Sequence, residues 1–73
     1  MKFETLKTKN KPGYHIEFKS TQQALNAGVW LKQIGLNEWS AGGGLISTID
    51  LEVAYKLRIH FDHQIKLIRC LVA

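Results

Sequence analysis

Leu51-Glu52-Val53-Ala54-Tyr55-Lys56-Leu57-Arg58-Ile59-His60-Phe61 carries an apolar residue at every second position: Leu51, Val53, Tyr55, Leu57, Ile59 and Phe61. An extended chain sends successive side chains to opposite faces. The alternation therefore predicts a long, half-buried antiparallel strand with one oily side and one cationic side. A helical row also runs through the region, since Ala54, Leu57, Phe61, Ile65, Ile68 and Val72 recur at steps of three and four. A helix built on that row scatters Leu51, Val53, Tyr55, Ile59, Leu67 and Leu71 over its other faces, and the β-branched residues among them favour strands. The strand is the preferred expectation.

Working outward, Asp62-His63-Gln64 makes a short turn and Ile65 to Val72 returns as a last strand, apolar on both faces. Such a strand is either central in its sheet or meets another chain. Leu45 to Ile49 adds a further candidate strand. Residues 37–44 form the connection before it, containing Trp39 and the run Gly42-Gly43-Gly44, which reads as a flexible hinge.

The first half is more conventional. Ser20-Thr21-Gln22-Gln23 has the spacing of a capping box, with Ser20 accepting from the helix and Gln23 reaching back. A helix follows over residues 21–34, its small-residue stripe of Ala24, Ala27, Gly28, Leu31 and Ile34 turned toward a sheet, with Gly35 as its left-handed cap. Ahead of it lie two candidate strands, 2–8 and 14–19. Asn10-Lys11-Pro12-Gly13 joins them as a type II turn and makes a β-hairpin. The expected fold is α+β in one small domain over residues 1–73: a hairpin, one helix, then two or three further antiparallel strands, the helix packed on one sheet face.

Composition bounds the function classes. Seventy-three residues at 45% hydrophobic and 22% charged describe a globular chain rather than a disordered one. Ten Lys+Arg against six Asp+Glu give a formal charge of +4, a mild attraction to anionic partners. Cys70 is the one cysteine, so no intramolecular disulfide forms, and a small domain without such staples suits a reducing compartment. The polar start around Lys2 and Glu4 lacks the apolar stretch of a secretory signal, and no apolar run approaches the ~20 residues that cross a bilayer. A cytoplasmic protein without membrane contact is expected.

No catalytic constellation emerges. His60-Phe61-Asp62-His63 resembles a metal or acid–base cluster, but zinc needs three or four convergent ligands and Cys70 is the only thiol. Cys70 as a nucleophile needs a neighbouring base. Gly42-Gly43-Gly44 lacks the Lys-Ser/Thr and the following helix of a phosphate loop. The expectation is a non-enzyme with no metal and no cofactor; an enzyme completed at a dimer interface by His60, His63 and Cys70 is the weakest of the rival readings. The stretch Gly28-Val29-Trp30-Leu31-Lys32-Gln33-Ile34-Gly35-Leu36 is similar, over nine residues, to the G-x-W-L-x-x-A-G-F segment of SymE-like toxins. The spacing to the later strands departs from that pattern, and no function is carried over.

Binding remains. A protein-binding inhibitor or regulator of the phage or mobile-element type is the first expectation, acting by steric occlusion or edge-strand addition. Trp39, Lys56, Arg58, Ile68 and Arg69 are its candidate contacts, and homodimerisation is a second way to cover the last strand. The alternative is an RNA- or DNA-binding protein using Lys7, Lys9 and Lys11 on the hairpin with Lys56 and Arg58 on a basic sheet face.

Overall fold

The computed structural model describes residues 2–9 and 11–72. It contains β1 (Lys2–Lys7), β2 (Gly13–Phe18), α1 (Thr21–Gln33), β3 (Trp39–Gly42), β4 (Leu45–Thr48), α2 (Leu51–His60), a single 3₁₀ turn at Asp62–Gln64, and β5 (Ile65–Val72). The five strands form one mixed sheet in the order β1-β5-β2-β4-β3. The class is α+β, with two helices rather than one.

Leu51–His60 is helical, which overturns the strand expected there. Its start is locally encoded. Asp50 caps α2 by accepting at Oδ1 from the Glu52 backbone N–H at 2.9 Å, and Thr48 Oγ1 accepts from the Asp50 N–H at 2.9 Å while donating to the Glu38 carbonyl. Glu52 sits in the first turn and Arg58 and His60 in the last, the charge order a helix dipole favours. Two steps along a helix rotate the chain by about 200°, so every second residue crosses to nearly the opposite face. The series Leu51, Val53, Tyr55, Leu57, Ile59, Phe61 thus alternates between solvent and core: Val53 and Leu57 are buried, Phe61 is half-buried, and Leu51, Tyr55 and Ile59 are exposed. A helix with two apolar stripes imitates a strand. Asp50→Ala is expected to lower the unfolding free energy by about 1 kcal/mol, read as a shifted denaturation midpoint with an unchanged slope; an unchanged midpoint would deny the cap.

The N-terminal hairpin is also corrected. β1 does not pair with β2; β5 lies between them, parallel to β1 (Phe3 opposite Ile68) and antiparallel to β2 (Ile16 opposite Ile68). Gly13 opens β2 and is not among the positive-φ glycines, so it does not serve the turn expected of it; Asn10 lies outside the described residues. β5 is central, so both its edges are paired, while Leu67 and Leu71 of its second apolar face lie on the side of the sheet that neither helix covers. The supposed hinge is itself a hairpin: β3 and β4 pair antiparallel (Ala41 opposite Ile46) around Gly43 and Gly44. Their φ values of 60° and 80° give the two positive angles that a tight two-residue hairpin turn requires.

α1 follows the sequence closely. Ser20 Oγ accepts from the Gln23 N–H at 3.2 Å, though Gln23 does not complete the box, since its buried Oε1 lacks a hydrogen-bond partner. At the other end Gly35, at φ 83°, lets Leu36 N–H reach the Leu31 carbonyl at 3.0 Å and Gly35 N–H the Lys32 carbonyl at 3.1 Å, a Schellman termination.

Both helices cover the same sheet face, α1 against β2, β3 and β4, and α2 against β2 and β4. Ile16, Phe18, Ile46, Ile65 and Ile68 from the strands meet Ala24, Ala27 and Leu31 of α1 and Val53, Ala54 and Leu57 of α2 in one core. An aromatic seam joins the helices: Trp30 stacks on His60 at 4.2 Å, and Phe61 meets Trp30 and Phe18 edge to face. Neither helix covers the opposite sheet face, where the pleat places Glu4, Arg69, His15, Ser47 and Ser40 in one cross-strand row.

Candidate functional site

The five expected partner contacts stand in settings other than those expected of them. Ile68 faces the helices and is buried in the core. Arg69 faces the uncovered side of the sheet, where its Nε lies 3.2 Å from Glu4 Oε1. Lys56 and Arg58 stand on α2, on the helix layer, so no basic sheet face unites them with Arg69. Lys7 closes β1, while Lys9 and Lys11 are exposed in the β1–β2 connection.

Trp39 packs within the fold. It lies on β3, half-buried, with its indole N–H donating to the Leu36 carbonyl at 2.7 Å. Its ring occupies the space above Gly28, where a Cβ would come within 2.8 Å of Trp39 Cη2. The small residue in α1 makes room for the large one on the sheet.

His60, His63 and Cys70 are dispersed. His60 ends α2 against Trp30, His63 is exposed in the 3₁₀ turn, and Cys70 lies on β5 opposite Tyr14. Among the described residues no three His, Cys, Asp or Glu side chains are grouped to hold a metal ion. Among them, too, no helix is long and apolar enough to cross a membrane.

What the alternation concealed is the outer face of α2. Leu51, Tyr55 and Ile59 succeed one another every four residues and are 64%, 58% and 62% exposed. The face opposite them fills the core, so α2 is apolar on both sides while packing only one. Two grooves flank the stripe. One, of about 240 Å³, runs between α2 and the sheet edge, with Phe3, Leu51, Tyr55 and Arg58 at its rim and Tyr14, Ile68 and Cys70 among its lining residues. The other, of about 210 Å³, lies between the helices and is lined by Trp30, Tyr55, Lys56, Ile59 and His60. Tyr55 is common to both.

The charges differ between the two sides of the molecule. On the uncovered sheet face two cations have a carboxylate beside them, Arg69 with Glu4 and Lys66 with Glu17 at 3.7 Å. On the helix layer the Arg58 guanidinium lies 5.0 Å from the centre of the Phe3 ring. Among the described residues, no carboxylate lies within ion-pair distance of Arg58 or Lys56. The signals that mark this face in the sequence are Asp50 as a cap and the i, i+4, i+8 spacing of Leu51, Tyr55 and Ile59.

No family model, curated protein or solved structure matches this chain.

Proposed function

We propose that this chain is a non-enzymatic protein-binding module that docks its partner on the outer face of α2 and the adjoining groove beside β1. The observation carrying this is the stripe of Leu51, Tyr55 and Ile59, three large side chains more than half exposed on a helix whose inner face is already satisfied. Fully burying an exposed side chain of this kind contributes about 1.5–3 kcal/mol, so the stripe supplies apolar anchors, and the adjoining groove the rest of the area that association needs. In this proposal the protein works as a small inhibitor or regulator, of the kind phage and mobile elements encode, occluding a surface of a host complex in the cytoplasm. Edge-strand addition at β5 drops out, because both edges of β5 are already paired. The nucleic-acid alternative loses its main support with the basic sheet face.

Affinity capture from lysate tests the proposal, comparing the native chain with a Leu51→Asp/Ile59→Asp variant, with and without nuclease. Both substituted residues are exposed, so the fold is expected to persist, which circular dichroism checks. The expected result is nuclease-resistant capture that falls at least about tenfold in the variant, as removal of central apolar contacts costs. Capture that ignores the substitutions, or that nuclease abolishes, would overturn it.

A further inference from the structure

We infer that two copies of the chain join through β1, edge to edge and antiparallel about a two-fold axis at Thr5, so that one sheet runs through both. The contact uses the rim of the sheet and stands apart from the docking face on α2.

The backbone carries the step. Thr8 N–H bonds the Val72 carbonyl at 2.8 Å, and Lys7 is the register partner of Val72. In a parallel ladder that pattern sends the N–H and C=O groups of Lys2, Glu4 and Leu6 toward β5, and those of Phe3, Thr5 and Lys7 away from it. Among the described residues no strand lies beyond β1, so these donors and acceptors face outward in a row. Native edges are blunted by proline, a bulge, brevity, a cover or charge. The six residues of β1 contain no proline and pair with β5 without a break, and Phe3 and Leu6 are more than half exposed. The opposite edge is treated otherwise: β3 is four residues long, and its Trp39 N–H turns back to the Asn37 carbonyl at 2.9 Å.

The one safeguard on β1 is charge, at Lys2, Glu4 and Lys7, and that charge selects the register. Centred on Thr5, an antiparallel pair sets Phe3 opposite Lys7, Glu4 opposite Leu6, and Thr5 opposite its own copy. Every outward donor then meets an outward acceptor, no like charges stand opposite, and Thr beside Thr is a favourable cross-strand pair. Centred on Glu4, the pair opposes two carboxylates and leaves the Lys7 groups unmet; centred on Leu6, it leaves those of Phe3 unmet. A strand from another protein satisfies the backbone equally. β1 itself, however, supplies the side chains this register needs: a small β-branched residue on the axis, and the Lys7 methylenes against the exposed Phe3 ring. The axis stands normal to the sheet, so the helices of both copies lie on one side. α2 packs over β2 and β4, back from the seam, and its outer stripe stays open to a partner.

Sedimentation equilibrium of the full chain over rising concentration is the test. The mass is expected to climb from 8.3 kDa toward its double. Thr5→Lys, at an exposed position, sets two ammonium groups opposite each other on the axis and is expected to weaken the dimer at least about tenfold. Thr5→Pro removes an outward N–H that β5 does not use, and the same loss is expected. Circular dichroism checks that both variants fold, and Thr5→Lys decides if Thr5→Pro does not. Isotope-filtered nuclear Overhauser spectra read the register, with contact expected between Glu4 Hα of one copy and Leu6 Hα of the other. A chain still monomeric at millimolar concentration, or a dimer indifferent to Thr5→Lys, would refute the inference while leaving capture on α2 untouched. Self-association abolished by Leu51→Asp/Ile59→Asp but not by Thr5→Lys would move the contact to α2 and contradict both readings.

Discussion

Leu57→Ala is expected to lower the unfolding free energy by about 2–5 kcal/mol, whereas Ile59→Ala changes it by no more than about 0.5 kcal/mol. The two residues are neighbours in the two-residue beat, and in a strand they share one face and suffer alike. In the helix they lie on nearly opposite sides. Leu57 is wholly buried among the strands and α1, and its truncation leaves a cavity that a close-packed interior closes only in part. Ile59 projects into solvent, where methyl groups are lost at little cost. A chain of this length holds on the order of 4–11 kcal/mol of net stability, so the first substitution removes a large share of it. Chemical denaturation of the two variants in parallel measures the contrast. Equal losses would return the segment to the sheet.

The second large effect is expected at Gly28. A side chain there meets the six-membered ring of Trp39, with a Cβ only 2.8 Å from Cη2 and 3.2 Å from Cζ3. The indole cannot slide freely, because its N–H is bonded to the Leu36 carbonyl and its ring packs on the core. Gly28→Val therefore forces α1 and β3 apart or expels the ring, at a cost of about 1–3 kcal/mol from overpacking. The gain from replacing a helical glycine, at most about 1 kcal/mol, offsets part of this. Stability measurement gives the magnitude, and the Trp39 indole N–H resonance gives the cause: it is expected to lose its protection from exchange. A stable variant with that proton still protected would show that α1 and β3 have more room than the contact implies.

These two residues also show how much of the fold was legible. α1 was readable almost entirely because its signals are local: Ser20 before it, Gly35 after it, and small residues at helical spacing between. The strand pairings were not. Residues 2–7 and 13–18 look like a hairpin because they are close in sequence, but β5 enters between them from the far end of the chain, a non-local choice that no turn signal records. Gly42-Gly43-Gly44 has the composition of a slack connection, yet two of its members supply the positive φ angles of a tight hairpin. Of its two strands, Leu45–Thr48 answers to the strand expected over Leu45 to Ile49, while Trp39–Gly42 is only four residues long and lacks an apolar alternation.

The candidate site was legible only in fragments. The sequence marks Lys56 and Arg58 as exposed cations but not the element that carries them; they stand on α2, while the sheet turns Arg69 away toward Glu4. Trp39 stands out in the sequence as a large aromatic residue beside a glycine run; its hydrogen bond and its seat over Gly28 make it part of the packing. The outer stripe itself was hidden by its own composition. Leu51, Tyr55 and Ile59 would be polar on an ordinary surface helix, and had they been so, the two-residue beat would have vanished and the helix would have been evident.

The conformation of residues 51–60 governs everything assigned to this surface, and backbone nuclear magnetic resonance of the uniformly labelled chain reads it directly. A helix predicts sequential amide–amide contacts from Leu51 to His60, downfield Cα shifts throughout, and contacts from the buried Leu57 methyls to the core side chains of β2 and β4, with none from the exposed Ile59. Cross-strand contacts between this segment and Ile65–Val72, with upfield Cα shifts, would contradict it.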